Sequence, residues 1–209
     1  MGLFHFYYIS TLINTMRYTA LDASLFELNR KNLVKELKKN SLVVVNANDI
    51  NPTNSDGTLR YRQNSDLFYL SGIDQEETIL VLCPDFPDKK YREVLFVRET
   101  NETIATWEGH KYTKEEARQA SGIKTVLWTS EFSKLFNTMM LMGDVDHVYL
   151  NSNDHYRADI EIPTREIRFV QWCQEKYPLH RYERLAPLMH QLRSVKSKHE
   201  IAAMQEACN

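Results

Sequence analysis

The chain has 209 residues, enough to bury a sizeable core as one large domain or as one domain with an appendage. Its 26 Lys and Arg against 28 Asp and Glu leave a formal charge of -2, so no global field draws it to nucleic acid or to an anionic membrane. Its 3 cysteines, Cys83, Cys173 and Cys208, are odd in number and form no C-x-x-C pair, which suits free thiols in a reducing compartment and predicts a cytoplasmic protein.

Only residues 1–14 resemble a targeting segment. They carry no Lys or Arg at their start and no small-residue cleavage site, and they are too short to span a bilayer. Met16-Arg17 precedes a helical pattern, so the natural protein is expected to start at Met16, with residues 1–15 as an upstream extension. N-terminal sequencing of the native protein decides this.

In chain order, Asp22 is the expected N-cap of a helix reaching about residue 39, because Leu21, Leu25, Leu28, Leu33 and Leu37 recur at helical spacing among polar residues. The run SLVVV at 41–45 is short, apolar and β-branched, as in a central strand covered on both faces. Residues 46–58, NANDINPTNSDGT, contain Asn-Pro and Asp-Gly pairs and offer no face to bury, which predicts a long polar loop.

The stretch 61–73, YRQNSDLFYLSGI, is the most specific in the chain. Leu67, Phe68, Tyr69 and Leu70 have the content of a short buried strand, with Ser71-Gly72 as the turn. Tyr61, Arg62, Gln63, Asn64, Ser65 and Asp66 are polar, and are expected to tie down loop backbone rather than to meet substrate. Strands over 66–71, 78–83 and 93–97, with 84–90 as the turn between the last two, would form a β meander.

Thr113 and Glu116 have capping-box spacing and Gly122 the position of a C-cap, so 113–121 reads as a short helix. A strand is predicted at 126–128. Phe132, Leu135, Phe136, Met139 and Met140 then form a helical apolar stripe that belongs to the core. A strand at 147–150 and a helix over 163–177 complete an alternation that predicts an α/β layered domain. Ser197 and Glu200 form a second capping box, after which Ile201, Met204 and Cys208 mark one face of a helix with no C-cap by residue 209. The pattern is interrupted, and a fragment of a longer protein is expected.

The chemistry of a self-sufficient active site is missing from these patterns. None of the 7 histidines falls in an H-E-x-x-H motif, and neither a G-x-S-x-G elbow nor a glycine-rich phosphate loop is present. Unpatterned carboxylates read as solvated surface.

The run RQNSDLFYLSG at 62–72, the strand TILVL at 78–82 and the spacing to Trp107-Glu108-Gly109 resemble the N-terminal domain of aminopeptidase P, in the creatinase and prolidase superfamily. The similarity runs from about residue 18 to the end. It implies an α/β fold, a mixed β-sheet flanked by helices with a ribonuclease H-like motif, over residues 16–192. Arg193, Lys196 and Lys198, followed by Glu-Ile and a Met, resemble the lead into the first helix of a C-terminal pita-bread catalytic domain, so 193–209 would be linker and helix start, with the rest of that domain outside the sequence. For the full-length protein the resemblance implies release of the N-terminal residue before proline by two divalent ions, usually manganese. Two Asp, one His and two Glu of the C-terminal domain hold those ions, so no cofactor is expected in this chain. Oxygen-rich ligands with one imidazole suit Mn²⁺, and a hydroxide bridging two ions can attack the carbonyl before proline. The role implied here is auxiliary: association into a homo-oligomer, and narrowing of the cleft so that peptides with proline at position two are accepted.

Two residues carry over from the resemblance. Trp107, in ATWEGH, matches a lid tryptophan that reaches the active site of a neighbouring subunit, and Asp56 matches an acidic loop residue near the cleft entrance. Plainer readings stand beside both, since tryptophan is enriched in cores and interfaces and Asp-Gly is a common turn. Where the family often has an arginine after W-x-G, this chain has His110 and Lys111, neither of which reproduces a guanidinium fork. Two alternatives remain: a prolidase, against which the RQNSD run argues, and a non-catalytic binding module of the same fold, as in the large subunit of the FACT histone chaperone, against which the near-neutral charge argues. Intact metal ligands downstream favour the enzyme, and their loss favours the binder.

Overall fold

The structure is a computed structural model that describes residues 21–152, 157 and 161–208; the expectation for residues 1–15 lies outside them. Its elements are α1 (Ala23–Glu36), β1 (Ser41–Asn46), α2 (Ser65–Ser71), β2 (Ile79–Leu82), β3 (Glu93–Val97), α3 (Glu102–Glu108), α4 (Lys114–Ser121), β4 (Thr125–Trp128), α5 (Phe132–Met142), β5 (His147–Leu150), α6 (Arg165–Lys176), β6 (Arg181–Arg184), α7 (Ala186–Ser194) and α8 (Lys198–Cys208).

β1 is buried along its whole length, as its β-branched run requires. Alternate residues face opposite layers. Val43 and Val45 pack with Leu33 of α1, Leu67 and Leu70 of α2, Ala117 of α4 and Met189 of α7. Leu42 and Val44 pack with Phe136 and Met139 of α5 and Cys173 of α6. The six strands lie in the order β4-β3-β2-β1-β5-β6. β2 is antiparallel to both of its neighbours, and every other pairing is parallel. The fold is therefore the expected mixed α/β sheet flanked by helices, and five of its strands point the same way.

The strand expected over 66–71 is a helix. Asn64 Oδ1 accepts from the backbone N–H of Asp66 and Leu67 at the N-terminus of α2, and Gly72, at φ 71°, closes the C-terminus with its N–H on the Phe68 carbonyl. Leu67, Leu70 and Ser71 are the buried positions, a helical spacing that LFYL conceals by its β-rich content. Gly72 cannot be replaced cheaply: a Cβ there would lie 2.2 Å from the Phe26 ring. The meander consequently runs through β1, β2 and β3, with α2 on the first connection.

α1 also departs from its leucine pattern. It ends at Glu36, Leu28 is exposed, and the buried face is Leu25, Phe26, Asn29, Arg30 and Leu33. Arg30 Nη1 donates to the carbonyls of Leu70 (2.8 Å) and Ser121 (3.0 Å), and Nε pairs with Glu93 at 3.2 Å. The acceptors lie at the ends of α2 and α4, which share one device. Ser71 and Ser121 each donate to a carbonyl four residues back and accept the N–H of Ile73 or Ile123, around a left-handed Gly72 or Gly122. Asn46 and Ala47, expected in the polar loop, are buried. Neither α3 nor β6 carries an apolar run that would announce it.

Candidate functional site at the C-terminal edge of the sheet

Because β1, β3, β4, β5 and β6 are codirectional, their C-terminal ends meet at one edge, where α/β folds place ligand-binding connections. The 47–64 loop leaves it from β1 and α3 follows β3; the turn of Gln75, Glu76 and Glu77 enters the reversed β2 at the same edge. Asp56 and Trp107 thus stand on connections that share an edge. No hydrogen bond joins the two among the described residues.

Asp56 occupies the exposed tip of a small hairpin. Thr53 N–H donates to Gly57 O, Gly57 N–H to Asn54 O and Leu59 N–H to Asn51 O, with a bridge between Pro52 and Thr58. Asp49 anchors the start of this loop by accepting the Arg165 N–H at 2.8 Å and pairing with Arg168.

Trp107 is 84% exposed, on a helix that buries none of its residues. The other tryptophans are covered: the Lys114 ammonium sits 4.6 Å from the Trp128 ring centroid, and Trp172 stacks on Phe169 at 5.5 Å. What ties α3 down is polar. Asn101 Oδ1 caps it through the Ile104 N–H, and the Arg98 guanidinium forks onto the Glu108 carboxylate (2.5 and 2.9 Å) while reaching Glu76 at 3.3 Å and Glu77 at 3.7 Å. Burial works to raise the Glu76 carboxyl, but the Lys111 ammonium, a backbone hydrogen bond and Arg98 outweigh it and hold the group below the usual carboxylate range. Hydrogen bonding to Glu108 raises Arg98 further. His110 pairs with Glu116 at 3.2 Å and Lys111 with Glu76 at 2.5 Å.

Replacing Arg98 with Met is expected to loosen α3. A partly exposed bidentate pair is worth about 1 kcal/mol, so amide exchange across residues 102–108 should accelerate roughly fivefold. Hydrogen–deuterium exchange checks it, and an unchanged rate would place the anchorage elsewhere.

The RQNSD run does tie down backbone. Gln63, nearly buried, donates to the carbonyls of Ile73 and Gln75 and accepts from the Tyr61 hydroxyl and the Asn64 N–H. Asp66 accepts from Asn151 at 2.8 Å and Arg193 at 2.6 Å. Arg62 lines a pocket of about 500 Å³ with Phe26, Tyr69, Asp74 and Arg193. Beneath this edge Glu166, 3% exposed, accepts from the backbone N–H (3.0 Å) and side-chain amide (2.9 Å) of Asn46, and burial pushes its carboxyl up to about 7.

Sequence reasoning missed Glu76, Arg98 and Glu108, although charged residues flanking predicted strand ends were a usable signal. It also missed Asn46 with Glu166, for which no local signal exists. Among the described residues no group of three or more His, Cys, Asp or Glu is placed to hold a metal ion, so these residues do not fit a two-ion centre. None of the helices, likewise among the described residues, is long and apolar enough to cross a membrane.

These features define a layered α/β domain with a mixed six-stranded sheet and its polar connections gathered at one edge. Residues 26–149 match the family described as aminopeptidase P, N-terminal domain, and the chain belongs to that family. It is 26% identical over 184 residues to the Xaa-Pro aminopeptidase of Escherichia coli K12, a match covering 87% of this chain and 41% of that protein. A solved structure from Bacillus anthracis superposes with a TM-score of 0.78 at 24% identity, covering 89% of this chain and 43% of the other. E. coli aminopeptidase P in its low-pH form gives 0.70 at 24% identity, over 88% of this chain and 41% of that one. The chain spans about two-fifths of the length of these relatives.

Proposed function

We propose that this chain is the non-catalytic N-terminal domain of a metal-dependent Xaa-Pro aminopeptidase, in which it helps to join subunits and to narrow the cleft around peptides with proline at position two. The observation that carries this reading is Trp107: a large aromatic, 84% exposed, with no packing role among the described residues and on the same sheet edge as the Asp56 hairpin. An aromatic left in solvent has area to give to another surface. Residues 16–192 are read as the domain and 193–209 as the linker and first helix of the catalytic domain. The Ser197–Glu200 capping box and the exposed Ile201 and Met204 of α8 support that division. The metal, expected to be manganese, and the hydrolytic groups belong to the catalytic domain of a cytoplasmic enzyme; Trp107 and Asp56 shape the entrance.

The test is release of the first residue from an X-Pro-X peptide by the full-length protein with Mn²⁺, with and without Trp107→Ala. Loss of a residue that positions substrate is expected to lower activity at least roughly tenfold, and Asp56→Asn to act mainly on KM. Activity that survives Trp107→Ala keeps the enzyme and removes the lid. An inactive parent with metal supplied moves the reading to the binding module.

A further inference from the structure

The opposite end of the sheet holds a second cleft, of about 520 Å³, walled by α1, the Lys89–Tyr91 turn and the entries to β3 and β4. Its volume is that of a small-molecule site. In a chain whose formal charge is -2, six cations converge here, Arg30, Lys31, Lys89, Lys90, Arg92 and Lys124, against the two carboxylates of Glu27 and Glu93.

The floor is built rather than merely decorated. The Arg30 side chain is 1% exposed, with Nε on Glu93 and Nη1 on two carbonyls, and its Nη2 donates to no protein group among the described residues. Nη2 is not one of the side-chain nitrogens buried without a partner, so it opens to the solvent of the cleft, where an anion's oxygen can replace water. At the rim, Lys31, Lys89 and Lys124 pair with no carboxylate among the described residues, whereas Lys90 lies 5.2 Å from the Tyr91 ring centroid and Arg92 Nε donates to the Phe86 carbonyl at 2.8 Å. Of the two acids, Glu93 is engaged by Arg30, and Glu27 lies against Gly122, close enough for its charge to act on Arg30 as well, which leaves the rim lysines as the uncompensated cations. No aromatic ring lines the cleft, so it lacks the stacking surface that a nucleobase or single strand would use.

We propose that this cleft binds a compact polyanion carrying phosphoryl groups, with the Arg30 guanidinium at its floor and the ammonium groups of Lys31, Lys89 and Lys124 closing over it. Charge-assisted bonds from a guanidinium and several ammoniums match phosphoryl oxygens. The site lies away from the edge that carries Trp107 and Asp56 and does not depend on the peptidase reading.

The experiment is calorimetric titration of the full-length protein with inorganic pyrophosphate, in parallel with a Lys89→Ala/Lys124→Ala variant, which leaves the buried Arg30 intact. Any pyrophosphate taken up at a metal centre is common to both proteins. Beyond any event common to both proteins, the expected result is one binding event per chain that the variant weakens about tenfold or more and that fades as NaCl rises from about 0.1 M to about 0.5 M, with the melting temperature of the free variant unchanged. Equal binding by the two proteins would overturn the site, and so would the absence of binding. Tighter binding of a single-stranded oligonucleotide than of pyrophosphate, lost in the same variant, would replace the small anion by nucleic acid.

Discussion

Replacing Arg30 with Met is expected to destabilise the chain by about 3 kcal/mol, the scale for removing one partner of a buried, hydrogen-bonded charge. Methionine fills the aliphatic volume but leaves the carbonyls of Leu70 and Ser121 without their donor. Both belong to the C-terminal turns of helices packed on the same face of the sheet. Unsatisfied buried acceptors each cost on the order of 1 kcal/mol or more. Glu93 keeps part of its solvation, its side chain being 40% exposed, which limits the loss at the ionic contact. Arg30→Lys should recover less than half, because one ammonium cannot copy a planar fork that serves three acceptors. Urea unfolding followed by circular dichroism measures both variants. A loss below about 1 kcal/mol for Arg30→Met would mean that α2 and α4 are held by apolar packing alone.

The second expectation concerns pH. Burial raises the Glu166 carboxyl to about 7 in the folded chain, against an ordinary value of 4.5. A carboxyl raised on folding takes up a proton when the chain folds. Its contribution to stability is therefore complete below about 4.5 and is lost as pH rises through about 7. The full loss is about 3 kcal/mol. Glu166→Gln removes the titration while keeping a carbonyl to accept the Asn46 N–H, and the Asn46 amide can turn over to accept from the new Nε2. The difference in unfolding free energy between wild type and variant should thus shift by about 3 kcal/mol in favour of the variant between pH 5 and pH 8. The comparison must be differential. Glu76, Glu131 and Glu183 are all lowered in the folded chain and lose their stabilisation as pH falls, in the opposite sense. A flat difference across the range would show that Asn46 compensates the buried charge fully.

Where local chemistry suffices, this chain can be read without its structure. The Thr113–Glu116 capping box, the Asp22 cap, the stripe from Phe132 to Met140 and the doubly buried SLVVV run all occupy the expected elements, because caps and periodicity act within a few residues. Where the signal is local but ambiguous, packing decides. LFYL has strand-like content, yet the Asn64 cap, Gly72 under the Phe26 ring and the acceptance of Arg30 by Leu70 make it a helix. The same packing turned Arg30 inward from a sequence face that looked solvated.

The candidate site was legible only as two isolated residues. Trp107 and Asp56 could be named from their motifs, but their common edge follows from strand order and direction, which no local window contains. The Arg98 cluster joins Glu76 across 22 positions, and Glu166 reaches Asn46 across 120. The sequence by itself determined the layered α/β class, the capped helices and the central strand, since these rest on short-range hydrogen bonding and hydrophobic period. Only the tertiary structure decided which charges meet, which are buried and which side chains stay in solvent, because pairing energies depend on distances set by the assembled sheet.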